Sequence, residues 1–181
     1  LTYFGEGASN QGQVFESFNL AALLKLPTIF VIENNRYGMG TSVERSSAQV
    51  DFSKRGSSFN IPGRQVDGMD VEAVYAAGQE AIAWCRDGKG PIILEMKTYR
   101  YRGHSMSDPA KYRTREEVNE VREKRDPIEH LGQKLVAQKL ATEDELKAMD
   151  KDIRQIVNHA AEFATESPEP DAAELYTDVL A

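Results

Sequence analysis

The sequence lacks the features of secreted, membrane and nucleic-acid-binding proteins. Its single cysteine, Cys85, excludes an internal disulfide and favours a reducing compartment. No apolar run approaches the roughly 18 residues that a membrane-spanning helix needs. The net charge of −7 leaves no cationic excess for binding nucleic acid or an anionic membrane. The 181 residues, 40% hydrophobic and 28% charged, are typical of one soluble globular domain or part of a larger one.

Short apolar runs alternate with amphipathic segments in the first hundred residues. Buried strands are predicted for residues 1–4, 28–33 and 91–97. Helices are predicted from about residue 13 to 25 and after Asp70, a good N-cap. The second helix carries its apolar residues at helical spacing, namely Val71, Val74, Ala77, Ala81 and Cys85. This alternation predicts an α/β fold with a parallel sheet flanked by helices.

The rest of the chain is less regular. Residues 36–69 are predicted to be loop-rich, and so long a connection is expected to be functional or to pack on a partner. Helices resume near Thr114, and a capping box at 142–145 opens a long amphipathic helix whose apolar stripe is expected to pack in a core rather than on a partner. The stripe comprises Leu146, Met149, Ile153, Ile156, Val157, Ala160 and Phe163. Residues 1–113 are therefore expected to form the α/β domain, and residues 114–181 a helical C-terminal extension packed on it.

Polar residues follow two of the predicted strands where each strand ends. Glu6 lies between Gly5 and Gly7 after the first strand, and Asn34 and Asn35 follow the second. Strands of a parallel sheet deliver such loops to one edge, where these folds bind ligands. Carboxylate and amide oxygens are ligands for hard cations, and glycines let backbone approach a phosphate. The spacing thus favours a metal–diphosphate site, although each motif alone is also an ordinary turn.

A second candidate segment follows the third strand. Residues 100–109 combine arginines, His104, two hydroxyls and a carboxylate on a glycine-containing loop. Such a composition suits a mobile active-site loop that handles an anion, but it is equally that of an exposed polar loop with no function. His130 and His159 lie in helical segments and are interpreted as surface or packing residues, and Cys85 as a small buried hydrophobe.

These motifs together resemble a known family. Residues 5–8 (GEGA), 10–12 (NQG) and 33–42 (ENNRYGMGTS) resemble the cofactor motif of thiamine-diphosphate-dependent 2-oxo acid dehydrogenase E1 α subunits, and residues 98–114 (TYRYRGHSMSDPAKYRT) resemble their loop beside the cofactor. The segments at 66–70 and 126–128 fit as well. The resemblance covers essentially the whole chain and predicts the C-terminal half of such a subunit, with an incomplete thiamine-diphosphate-binding fold. The chain also begins inside a predicted strand, so an upstream half is expected to be missing.

The resemblance implies a role for each matching residue. Glu6 and Asn35 would bind Mg²⁺ through their side chains, and Tyr37 through its backbone carbonyl. Gly7 and Ala8 would offer backbone to the diphosphate. From the loop, Arg100 and His104 would contact the diphosphate, and His104 would also help to pass the acyl group to lipoamide.

Two details bear on subtype and regulation. Pyruvate-specific members usually carry Asp at the position of Glu6, where branched-chain members resemble this chain, but residues 36–40 and 105–109 look like the pyruvate type. Ser105 matches a serine that is phosphorylated in mitochondrial members. The loop is one residue shorter than the mitochondrial one, with Lys111 before Tyr112 and no second phosphorylation serine, which favours a bacterial, cytoplasmic protein over a mitochondrial one.

The implied reaction is decarboxylation of pyruvate and transfer of the acetyl group to the lipoyl domain of an E2 component. The implied assembly is an α2β2 heterotetramer with an E1 β subunit that supplies the cofactor-activating glutamate, so no general base is assigned to this chain. Two alternatives stay open. The chain belongs to a branched-chain or acetoin dehydrogenase, or it is a cofactor-free fragment that acts only in subunit assembly and is inactive alone.

Overall fold

The computed structural model describes residues 1–178 and is built around a parallel sheet. In chain order the strands are β1 (Thr2–Gly5), β2 (Ile29–Asn34), β3 (Tyr37–Gly38), β4 (Thr41–Ser42), β5 (Gly63–Asp67) and β6 (Ile92–Lys97). Four of them form one sheet in the order β1-β2-β6-β5, with every neighbouring pair parallel. Strands β3 and β4 form a short antiparallel hairpin. The predicted α/β class is confirmed.

Helices begin and end close to where local signals predicted. They are α1 (Gly12–Leu23), α2 (Val43–Ser46), α3 (Val71–Arg86), α4 (Arg115–Arg125), α5 (Pro127–Ala137) and α6 (Glu143–Glu166), with 3-10 segments at Ala8–Asn10, Phe52–Phe59 and Ala172–Tyr176. The carboxylate of Asp70 accepts hydrogen bonds from the first-turn N–H groups of Glu72 and Ala73. Thr142 and Glu145 form the predicted reciprocal capping box. No helix within residues 1–178 is long and apolar enough to cross a membrane.

The central strand β2 connects two apolar layers. Phe30 and Ile32 pack with Phe18 of α1 on one face of the sheet. Ile29 and Val31 lie in the cluster formed with α3 on the other face. Side chains alternate between the faces of a strand, so a continuously apolar strand is the type that such a double-sided sheet requires.

Residues 36–69 were predicted to be loop-rich, and the strand β5 within them was not predicted. Within residues 1–178 this strand pairs only with β6. Val66 alone is buried among its five residues, so the strand has no apolar run from which to predict it. The predicted burial of Val71 was wrong. It is the first residue of α3 and is 42% exposed, because the buried face of the helix starts further along.

The chain forms two compact units, Leu1–Leu131 and Gly132–Ala181. The division lies later than the predicted one after residue 113, and packing of residues 114–181 on the α/β domain stays a prediction. Within the second unit, the stripe of α6 does not form the expected core. Met149, Ile153, Ile156, Val157 and Phe163 are each more than half exposed.

Candidate metal and diphosphate site

The ends of β1 and β2 bring the two predicted motifs together. Gly5 pairs with Glu33 in the parallel register, so Glu6 leaves the sheet beside the turn that follows β2. The Glu6 carboxylate Oε2 accepts a hydrogen bond from the backbone N–H of Asn35 at 3.2 Å. The proximity expected from the sequence is therefore present in the structure.

Glu6 is a buried acid, and the described part of the chain places no cationic side chain against it. Its exposed fraction is 3%, and no lysine, arginine or histidine pairs with it within residues 1–178. The hydroxyl of Ser9 donates to the backbone carbonyl of Glu6 at 2.6 Å and not to the side-chain carboxylate. Buried charges are normally paired or bound to a metal, so this carboxylate fits a cation that the protein itself does not supply.

Two consecutive turns set the position of Asn35. The side-chain oxygen of Asn34 accepts from the N–H of Arg36 at 3.0 Å, and that of Asn35 accepts from the N–H of Tyr37 at 3.3 Å. Arg36 adopts a left-handed conformation with φ of 74°. Side-chain to backbone bonds of this kind stabilise such turns. The amide oxygen of Asn35 keeps a second lone pair for another partner.

A close backbone approach lies beside these turns. A Cβ added to Gly7 would be 3.4 Å from the Cα of Gly38, and one added to Gly38 would be 3.5 Å from the Cα of Gly7. Ala8 begins the 3-10 turn that follows Gly7. Side chains at the two glycines would fill the gap between the loops, so their absence keeps backbone accessible at the strand ends.

The segment after β6 covers the turn from the other side. Tyr112 stacks on Tyr37 with ring centroids 4.6 Å apart and planes inclined by 29°. The guanidinium of Arg100 donates to the carbonyls of Tyr37 at 3.4 Å and Met39 at 2.7 Å. It also donates to the hydroxyl of Tyr112 at 2.7 Å. In this arrangement the carbonyl that was predicted to ligate a metal faces a cation.

Arg113 is a second cation at the turn, and sequence reasoning missed it. Its guanidinium carbon lies 4.4 Å from the ring centre of Tyr99 and 4.7 Å from that of Tyr37. It donates to the backbone carbonyl of Asn35 at 2.7 Å and to that of Arg100. Its place after Tyr112 in a tyrosine-rich segment was the available signal, because arginine stacks well on aromatic faces.

His104 lies on the exposed part of the same segment. Its backbone N–H donates to Asp108 Oδ2 at 2.7 Å, whereas its ring forms no hydrogen bond within residues 1–178. This backbone bond is the largest cause that lowers the pKa of Asp108 to about 2, followed by the N–H of Ala110 and the hydroxyl of Tyr112. The structure thus brings together Glu6, Gly7, Asn35, Tyr37 and Arg100, and leaves the His104 ring apart from their contacts.

The donor set fits a hard cation. One carboxylate, one amide oxygen and one backbone carbonyl are the oxygen ligands that Mg²⁺ accepts, and it commonly takes the remainder from phosphate and water. No cluster of three or more His, Cys, Asp or Glu is present within residues 1–178. A site here would therefore depend on Glu6 and neutral oxygens, with Arg100 released from the carbonyl of Tyr37.

Known proteins match the chain over nearly its whole length. The family model described as dehydrogenase E1 component matches residues 1–173. The chain is 66% identical over 180 residues, 99% of its length, to the pyruvate dehydrogenase E1 component subunit alpha of Rhizobium meliloti, covering 52% of that protein. It is 58% identical over 178 residues, 98% of its length, to the subunit of that name in Zymomonas mobilis, covering 50% of it.

A mitochondrial relative is nearly as similar. Identity is 57% over 176 residues, 97% of the chain and 45% of the relative, to the somatic form of the mitochondrial pyruvate dehydrogenase E1 component subunit alpha of Homo sapiens. The chain spans about half the length of the curated relatives it matches. These shares measure the extent of the match and not its position, so the C-terminal placement stays a prediction of the sequence.

Proposed function

The chain belongs to the dehydrogenase E1 component family, and we propose that it is part of the α subunit of a pyruvate dehydrogenase E1 component. The observation that carries the proposal is the buried Glu6 carboxylate beside the Asn35 turn. The relatives are named as pyruvate dehydrogenase subunits, which supports the choice of pyruvate among 2-oxo acids. The whole protein would decarboxylate pyruvate and transfer the acetyl group to the lipoyl group of an E2 component.

The proposed cofactors are Mg²⁺ and thiamine diphosphate. Glu6, Asn35 and the carbonyl of Tyr37 would hold the metal, while backbone at Gly7 and Ala8 would face the diphosphate. Thiamine diphosphate, when bound, supplies the carbanion chemistry that decarboxylation of a 2-oxo acid requires. The part of this chain is to bind and orient, because its buried oxygens set the metal position and its glycines leave room beside it.

The segment 100–113 would complete the site. Arg100 now donates to the carbonyls of Tyr37 and Met39, and it would exchange those contacts for the diphosphate when the metal occupies the carbonyl of Tyr37. His104, exposed on the same segment, would help to transfer the acyl group to lipoamide. Partners would be an E1 β subunit in an α2β2 heterotetramer and the E2 lipoyl domain, in the cytoplasm of a bacterium.

The test is an assay of the full-length protein that carries this sequence, co-purified with its β subunit. It contains Mg²⁺, thiamine diphosphate, an artificial electron acceptor, and pyruvate or 3-methyl-2-oxobutanoate. Turnover of pyruvate with little of the branched acid is the expected result. Preference for the branched acid would assign the chain to the branched-chain type, which Glu6 alone would favour. No turnover by an assembled complex that binds the cofactor would overturn the proposal.

A further inference from the structure

Glu95 is a carboxylate in the middle of the sheet. It lies on β6, where it pairs with Ile32 of β2 and Gln65 of β5, and its exposed fraction is 0%. No cation pairs with it within residues 1–178. A buried acid of this kind persists only where its oxygens accept enough hydrogen bonds, so its partners are informative.

Three neutral donors surround the carboxylate. Oε1 accepts from the side-chain amide of Asn34 at 2.7 Å. Oε2 accepts from the backbone N–H of Ser53 at 3.0 Å and from the side-chain amide of Gln65 at 3.0 Å. All three contacts are donors, so both oxygens of Glu95 act as hydrogen-bond acceptors.

The direction of these hydrogen bonds is determined at both ends. The N–H of Arg36 can only donate, so the oxygen of the Asn34 side chain must face it and the NH₂ must face Glu95. The N–H of Ser53 can also only donate, so it requires an oxygen of Glu95. A group that accepts on both sides is needed at position 95, and among side chains of this shape only the carboxylate does so.

This connection ends at the candidate metal site. Asn34 holds the left-handed turn at Arg36, and Asn35 lies between the two residues that this turn joins. Glu95 forms no hydrogen bond with the candidate metal ligands Glu6, Asn35 and Tyr37. We propose that it is a positioning residue that sets the Asn34–Tyr37 turn and thereby the geometry of Asn35 opposite Glu6. The inference rests on the proposed function, because it concerns the same metal site.

The hydrogen-bond polarity provides a sharp test. In Glu95→Gln the new amide oxygen must face the N–H of Ser53, so the new NH₂ faces the side chain of Asn34. The NH₂ of Asn34 then faces either this new NH₂ or, if the Asn34 amide is flipped, the N–H of Arg36. In both cases two donors face each other. In Asn34→Asp two carboxylates meet. The double variant Asn34→Asp/Glu95→Gln restores an acceptor opposite every donor, because the new carboxylate at position 34 accepts from both the new amide at position 95 and the N–H of Arg36. It has the same net charge as the wild type.

The measurement is Mn²⁺ affinity in the presence of thiamine diphosphate, by electron paramagnetic resonance, on the full-length protein assembled with its β subunit. Each single variant should bind Mn²⁺ about 10–100-fold more weakly, the effect typical of residues that orient a metal ligand. The double variant should return to within ~3-fold of the wild type, because the two changes interact. Glu80→Gln, an exposed change of one charge, should leave the affinity unchanged.

Thermal unfolding with EDTA separates positioning from stability. A double variant that regains stability but binds Mn²⁺ as weakly as the single variants would overturn the inference, and so would a Glu95→Gln variant with wild-type affinity. If the Glu95→Gln variant does not assemble with the β subunit, the test rests on the double variant, which is expected both to assemble and to bind Mn²⁺ with nearly wild-type affinity. A wild-type complex that binds neither Mn²⁺ nor thiamine diphosphate would instead overturn the proposed function.

Discussion

The carboxylate of Glu6 accepts a hydrogen bond from the backbone N–H of Asn35 across 3.2 Å, although the two residues follow different strands. The parallel register of β1 and β2 produces this contact by ending both strands at one edge of the sheet. Because Glu6 is buried and has no cationic partner within residues 1–178, its carboxylate receives no compensating positive charge from the protein.

Glu6→Gln should change stability in opposite directions with and without metal. In EDTA the variant should be about 1 kcal/mol more stable to unfolding, because an uncompensated buried charge is removed. With Mg²⁺ and thiamine diphosphate the wild type should gain stability by binding, and the variant should gain much less. Thermal unfolding under the two conditions measures both effects. A variant that is less stable in EDTA and responds normally to Mg²⁺ would show that Glu6 is a structural acid.

Arg113→Lys should loosen the segment 100–113. Lysine has no planar guanidinium with which to contact the rings of Tyr99 and Tyr37 while donating to the carbonyl of Asn35. Loss of these contacts should speed tryptic cleavage of the segment about tenfold, equivalent to ~1.4 kcal/mol. Arg102→Lys is the matched control, because it lies exposed on the same segment and keeps a tryptic site. Equal cleavage rates for the two variants would contradict the assignment.

The order of the same segment should depend on pH through Asp108. Its pKa, about 2, is lower than the ordinary value of ~3.9 because backbone N–H groups donate to the ionised form. The stabilisation is thus fully present above about pH 4 and is lost as the pH falls through about 2. Hydrogen exchange at the N–H groups of His104 and Ala110 should report the loss.

The Asp108→Asn variant is the control for this pH effect. Asparagine offers one acceptor oxygen, so it can satisfy only one of the two N–H groups. Exchange at the other N–H should be faster near neutral pH and should show no titration between about pH 2 and 4. A variant with the same acid transition as the wild type would assign the transition to another group.

Gly63→Ala should strongly destabilise the fold. A Cβ at this position would overlap the carbonyl oxygen of Ser53, which is backbone and cannot rotate away. A loss of ~3 kcal/mol in the free energy of unfolding is expected. Gly78→Ala is the matched control in the interior of α3, where a Cβ would meet no atom within 4 Å, and a gain of ~0.5–1 kcal/mol is expected. Urea denaturation of both variants measures the contrast.

Local signals in the sequence predicted most elements correctly. Asp70 before α3 and Thr142 before α6 are caps whose partners lie two or three residues away, so the printed sequence contains both sides of each contact. The apolar run of β2 predicted a strand buried on both faces. In contrast, β5 has one buried residue, and only its pairing with β6 makes it a strand.

The candidate site likewise contains residues that were predicted from the sequence and residues that were not. Glu6, Gly7 and Asn35 were predicted from motifs at strand ends, and Tyr37 and Arg100 from the family resemblance. The structure brings these five residues together. Arg113 and Glu95 were not found, because the partners that place each of them at the site lie far away in the chain. Arg113 reaches Asn35 across 78 positions of the chain, and Glu95 reaches Asn34 across 61 and Ser53 across 42.

The sequence by itself determined the α/β class, the helix caps, and the glycine, acid and amide motifs at the strand ends, because each depends on periodicity or on neighbours within one turn. Only the tertiary structure decided that the Glu6 carboxylate is buried opposite Asn35 and that the buried Glu95 carboxylate orients Asn34. Burial and the direction of a hydrogen bond are properties of groups that folding brings together. Such groups can be far apart in the chain, and so no local pattern contains them.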